Sequence, residues 1–120
     1  MESQQPQKTN FGYEIVWAST IDYEARFLVF EKSGANTDIF LDRETDKTWF
    51  VNAGKFKIRW INTDDGKILE QEFSEGTVFH VEAMKPTQII SLQDNSSITE
   101  VSNVRNNDRF TIMNSELVGK

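Results

Sequence analysis

Lys47, Trp49, His80 and Glu82 are the residues of this chain whose types and spacing could do chemistry. Residues two apart on a strand share a side, so Lys47 with Trp49, and His80 with Glu82, each fall on one face of an extended segment. An aromatic wall beside an ammonium suits a sugar or sugar-phosphate, the ring stacking on the sugar and the cation meeting the anion. A lysine whose pKa is lowered by burial can act as Schiff-base nucleophile or general base, and a histidine beside a carboxylate as an acid/base pair. Each has a plainer reading: Lys47 as a structural or anion-binding ammonium, Trp49 as core material, and His80 as a surface histidine facing away from Phe79 and Val81. His80 is the single histidine and cysteine is absent, which excludes disulfides, thiolate catalysis and multi-histidine metal sites. Neither a Gly-x-Gly-x-x-Gly nor a Walker-type loop is present, and no nucleophile elbow precedes any serine. Asn95-Ser96-Ser97 fits a glycosylation acceptor but has no secretory route to it.

The elements that must position these residues have a period of two. Tyr13, Ile15 and Trp17, then Phe27 to Phe30, read as strands separated by Ser19 to Asp22, too apolar for their faces to be assigned. Gly34, Ala35 and Asn36 make a turn, followed by short strands over Asp38 to Leu41 and Lys47 to Asn52. After the turn at Asn52, Ala53 and Gly54, the residues Phe56, Ile58 and Trp60 alternate with Lys57 and Arg59. That alternation marks a strand with one buried and one solvated face. Thr63 to Gly66 close a hairpin, because Asp-Gly tolerates the positive φ of a tight reversal, and Leu69 to Phe73 return. Thr77 to Val81, Gln88 to Leu92 and Ile98 to Val104 complete the strands, and Asp108 to Val118 is open between strand and helix. Many short strands with turns between them predict an all-β sandwich or barrel.

A chain of 120 residues supports one domain, and 38% hydrophobic with 12% aromatic residues is the composition of a globular protein. We expect a flexible tail over 1–10 and one domain over 11–120. The net charge of -6 opposes binding to a phosphate backbone, which excludes nucleic acid as a partner. No apolar run approaches the roughly 20 residues of a membrane span, so no membrane partner is expected. The polar, Gln-rich start has no apolar h-region, and the expected location is cytoplasmic.

The order of elements resembles a small cupin, an all-β single barrel of the double-stranded β-helix or jelly-roll type. It is most similar to the single-domain cupins akin to the C-terminal part of type II mannose-6-phosphate isomerases. The likeness rests on Val16 to Thr20 through Tyr23, on Lys47-Thr48-Trp49-Phe50-Val51-Asn52-Ala53-Gly54-Lys55, and on Ser74 to Val81, and spans residues 11–102. Gly34, Phe40, Asp42, Lys47 and Gly54 keep the spacing of the first cupin motif, but the two His and one Glu that hold the family's metal fall on Phe40, Asp42 and Lys47. In the second motif, which opens at Gly76, the usual Pro-x-Gly falls on Glu82, Ala83 and Met84. The metal-binding His falls on Thr87, one step after Pro86.

A divalent ion needs several N or O donors converging at about 2.0–2.2 Å. Phe40 cannot donate, Lys47 repels the ion, Thr87 is a weak ligand, and Asp42 alone is too little, so no metal and no cofactor are expected. Side chains that meet at one metal in the family lie close together, so the resemblance implies an Asp42–Lys47 ion pair in its place. Phe40, Asp42, Lys47, Trp49 and Thr87 would line the cavity, either as filler or as a ligand site. The resemblance thus implies a metal-free cupin acting as a binding or assembly module for a sugar-phosphate, a nucleotide-sugar or another small anionic ligand. The alternative is a carbohydrate isomerase or epimerase. Many small cupins are homodimers, and Phe11 to Trp17 could add a strand to a neighbour.

Overall fold

Alternation along the chain is realised as eleven strands in a computed structural model that describes residues 5–103 and 109–113, the last five by their backbone. They are β1 (Gln7–Lys8), β2 (Gly12–Ser19), β3 (Glu24–Phe30), β4 (Ile39–Asp42), β5 (Lys47–Ala53) and β6 (Lys55–Ile61). The series continues with β7 (Ile68–Ser74), β8 (Val78–Val81), β9 (Thr87–Ser91), β10 (Ser96–Ser102) and β11 (Arg109–Met113). There is no helix among the described residues, hence none long and apolar enough to cross a membrane.

Two antiparallel sheets result, β1-β2-β3-β10-β5-β8 and β11-β4-β9-β6-β7, hereafter the first and second sheet. The first joins strands far apart in sequence, because β10 pairs with β3 on one side and β5 on the other. The core lies between the sheets. Leu28, Phe30, Val51 and Ile98 of the first are buried with Phe56, Ile58 and Ile89 of the second. Phe30 meets Phe56 edge-on across the gap at 5.0 Å, and Phe11 stacks on Phe30 at 4.2 Å.

The expected all-β architecture is present, but the sheets are not closed into a barrel: two sheets face each other, with no strand pairing between them among the described residues. The edges of the first sheet are the two-residue β1 and the four-residue β8, too short to zip the sheets together, and inter-sheet aromatic packing holds them instead. Within the segment expected as a tail, Gln7–Lys8 pair with Glu14 and Tyr13 of β2. Phe11 to Trp17 serves its own chain, Phe11 in the core and the rest in β2 against β3. The last segment, open between strand and helix, contributes β11 against β4, while Asp108 and 114–118 lie outside the described residues, as does Val104. At Gly54, between β5 and β6, φ is +83°, and a Cβ there would run into the Ser96 side chain, so the tight turn needs glycine on both counts.

Candidate functional site

The loop 43–46 between β4 and β5 brings Asp42 and Lys47 to the same end of the core. Phe40 and Asp42 alternate inward along β4, and Lys47, Trp49 and Val51 along β5. The Lys47 ammonium and the Asp42 carboxylate form an ion pair whose side chains are only 2% and 5% exposed. The ammonium also stands 5.1 Å from the centroid of the Phe40 ring. Phe40 meets Trp49 edge-on at 6.4 Å and lies in register with Thr87 of β9. Thr87 is buried, and its hydroxyl donates to the Lys85 carbonyl at 2.9 Å. The five residues singled out in the sequence are thus buried together. Backbone hydrogen bonds fix the loop above them: Met84 N–H donates to the Asp42 carbonyl and Ala83 N–H to the Asp46 carboxylate, each at 2.7 Å.

Behind Trp49 lies a charge cluster that the sequence reading missed. Trp49, Glu100 and Arg26 stand in one row across β5, β10 and β3. The buried indole N–H of Trp49 donates to Glu100 Oε1 at 2.8 Å, which satisfies a donor that would otherwise cost free energy inside the core. Arg26 then faces Glu100 at 3.4 Å, Glu14 at 3.1 Å and Glu24. Burial works to lower the Arg26 pKa, but Glu100 foremost, with Glu14 and Glu24, outweighs it and holds the guanidinium above its ordinary value. Since the folded pKa is the raised one, the stability this contributes is complete below the unfolded pKa and is lost only as pH rises through the folded one, far above neutrality. One signal for the cluster was present: in Glu-Ala-Arg-Phe-Leu-Val-Phe the two charges share the parity of Leu28 and Phe30, the inward side.

The space these groups enclose is small. A cavity of about 20 Å³ remains among Glu14, Arg26, Thr37, Phe40, Trp49 and Glu100, room for about one water and far too little for a sugar ring. Nor does the donor set fit the divalent ion that this kind of site holds elsewhere. An ammonium sits against the one carboxylate, Phe40 offers a ring, and the Thr87 hydroxyl is turned to a backbone carbonyl. Among the described residues no three His, Asp or Glu side chains converge as metal ligands.

A larger hollow opens beside this filled interior. About 300 Å³ is lined by Trp60 to Asp64 of β6 and its turn and by Glu82 to Lys85 of the β8–β9 loop. Trp60 follows Thr87 and Phe40 in register, and its ring packs on Phe79 at 5.2 Å, which in turn stacks on Trp49 at 5.9 Å. Lys85 reaches over this wall, 5.8 Å from the Trp60 ring centre and 5.9 Å from that of Phe79. Met84, in the same loop, is held at a φ of +67°. The sequence placed Trp60 only in the alternating strand with Phe56 and Ile58, because its position beside a hollow depends on a loop more than twenty residues later. His80 and Glu82 are not brought together: Glu82 lines the Trp60 hollow, whereas His80 bonds the Thr48 hydroxyl at 3.0 Å on the outside of the first sheet. The plainer reading of His80 is the observed one, with Phe79 packed against the core and Val81 buried in it.

Comparison with solved structures decides the kind of fold. The chain superposes on the capsular polysaccharide assembling protein CapF from Staphylococcus aureus with a TM-score of 0.81 and 17% identity, over 94% of this chain and 33% of that one. The fold is a cupin fold. KdgF from Halomonas sp. agrees, with a TM-score of 0.70 and 19% identity over 89% of this chain and 90% of its own. So does oxalate decarboxylase from Bacillus subtilis, with a TM-score of 0.79 and 13% identity over 91% of this chain and 30% of that one. This chain spans about a third of the length of the CapF and oxalate decarboxylase chains it matches. No family model matches the sequence, and no curated protein does. The likeness therefore lies in the backbone. This chain's own side chains, with Lys47 against Asp42, decide what its interior can do.

Proposed function

We propose that this chain is a metal-free cupin module that binds a small carbohydrate ligand, its two sheets being the halves of a jelly roll. The observation that carries the reading is the buried Asp42–Lys47 pair, capped by Phe40 and Trp49, which fills the place where a metal and substrate would meet. Phe40, Asp42, Lys47, Trp49 and Thr87 then form a rigid floor, and the ligand lies above it in the hollow beside Trp60. A pocket of about 300 Å³ is at the small end of the range for small-molecule sites. The Trp60 ring offers a stacking face, Asn62, Asp64 and Glu82 offer acceptors for hydroxyls, and Lys85 offers a cation to a phosphate or carboxylate. The backbone likeness to a capsular polysaccharide assembling protein favours a carbohydrate setting. The isomerase or epimerase alternative needs an acid and a base facing substrate, and Asp42 and Lys47 face each other instead.

A thermal-shift series with hexoses, hexose phosphates and nucleotide-sugars tests this, run beside metal analysis of untagged protein. One ligand class should stabilise the wild type, by about 2.7 kcal/mol at a hundredfold excess over Kd. That gain should vanish in Lys85→Met and Trp60→Ala. No shift with any sugar class, or a stoichiometric divalent ion in the purified protein, would overturn the reading.

A further inference from the structure

Both walls of the hollow beside Trp60 are fixed by hydrogen bonds of the chain itself. On one side the turn after β6 is closed from within: Asp64 N–H donates to Asn62 Oδ1 at 2.9 Å, Gly66 N–H to the Asn62 carbonyl at 2.7 Å, and Asn62 N–H to the Lys67 carbonyl at 2.8 Å. On the other side the β8–β9 loop is tied down by Ala83 and Met84 to Asp46 and Asp42, and its Pro86 carbonyl accepts from Ile61 N–H at 3.0 Å. Met84 keeps its positive φ under these ties, a conformation that a non-glycine residue holds only where its surroundings over-determine it. The charges carried on the two walls are left uncombined. Asp64 comes from the turn and Glu82 from the loop, and among the described residues neither has a cation within ion-pair distance. Lys85 lines the same hollow, yet its ammonium stands over the Trp60 and Phe79 rings and not against either carboxylate.

We propose that the ligand of this hollow is an amino-sugar phosphate, its ammonium held by Asp64 and Glu82 and its phosphate by Lys85. The inference rests on the carbohydrate reading of the hollow and names the class of sugar. Charge selects it. A hexose phosphate brings only negative charge to a hollow with two carboxylates and one ammonium, on a chain of net charge -6, so the attraction of Lys85 is opposed by both carboxylates. A sugar with an amine alone would satisfy the carboxylates but leave Lys85 without a counter-charge, beside a second cation. A ligand carrying both groups removes both conflicts, and each contact is then a charge-assisted hydrogen bond, stronger than a neutral one. An analogue without the ammonium leaves the carboxylates unpaired, which is how a site rejects a ligand lacking one polar group. The flexible four-carbon stem of Lys85 lets its ammonium leave the indole for the phosphate and uncovers the Trp60 ring to stack on the sugar. Since both walls are already tied in place, little ordering of the chain opposes binding.

Titration calorimetry of the full chain with glucosamine 6-phosphate, glucose 6-phosphate and N-acetylglucosamine 6-phosphate tests this, because the three differ only in the substituent that carries or lacks the ammonium. Glucosamine 6-phosphate should bind the wild type about 10-fold more tightly than either of the others. In the nearly isosteric double variant Asp64→Asn with Glu82→Gln, that preference should fall below about threefold, whereas Glu70→Gln in the outer ladder should keep it. Equal affinity for glucosamine 6-phosphate and glucose 6-phosphate overturns the inference and leaves carbohydrate binding by the hollow standing. A preference that survives in the double variant overturns it equally. If none of the three binds, the inference falls as well, and the wider series of hexoses and nucleotide-sugars decides the reading beneath it.

Discussion

Lys47 with Asp42, and Lys57 with Glu70, are the same two functional groups placed in opposite surroundings. The first pair lies inside, its side chains 2% and 5% exposed, against the Phe40 ring. The second belongs to a ladder on the outside of the second sheet, where Lys57 stands 3.7 Å and Arg59 3.5 Å from Glu70, and Lys55 3.8 Å from Glu72. Water and salt screen the outer ladder, so each pair there contributes little. Inside, neither partner can be re-solvated, so the pair holds together because separating it would strand a charge. The difference teaches that the interior pair is a geometric constraint more than a source of stability: it ties the start of β5 to the end of β4 and closes the interior to other occupants.

That contrast can be broken, most sharply at its buried end. Lys47→Met alone should cost about 3–5 kcal/mol in urea unfolding, whereas Lys47→Met with Asp42→Leu should return to within about 1 kcal/mol of the wild type. If the double variant is as unstable as the single one, the pair contributes favourably in its own right. Glu100→Leu is intermediate: it strands the Trp49 indole N–H and removes one of three carboxylates around Arg26, for an expected loss of about 1–3 kcal/mol. The same substitution in a Trp49→Phe background should cost less, since no buried donor is then left unpaired. At the exposed end, Lys57→Ala should change stability by less than about 1 kcal/mol, and the difference should shrink further in 0.5 M salt. A salt-insensitive loss as large as that of Lys47→Met would erase the distinction.

Much of the frame was legible in the residues. Phe56, Ile58 and Trp60 against Lys57 and Arg59 predicted a strand with one wet face, and the structure places the two cations in the outer ladder. The pairing of Asp42 with Lys47 was implied by the resemblance to the cupin motif, in which these two positions meet at one metal, and the structure places the two side chains in contact. Glu14, Glu24, Arg26 and Glu100 were not legible as a cluster. They come from three strands, and Arg26 lies 74 positions from Glu100, so only the pairing of β3 with β10 makes them neighbours. The inward side of β2 and β3 was hidden for a related reason: apolar residues fall on both sides of these strands, and the charges Glu14, Glu24 and Arg26 lie on the inward one, so alternation does not mark the interior.

The sequence by itself determined most of the strands and the turns between them, which depend on residue type and local spacing. Tertiary structure alone decided which sides of β2 and β3 face inward, that the sheets meet through aromatic rings without closing, and that the interior is filled while a hollow opens beside Trp60. Those outcomes depend on register between distant strands. A shift of one residue reverses every side chain, and the register is set by how the two sheets pack around one core.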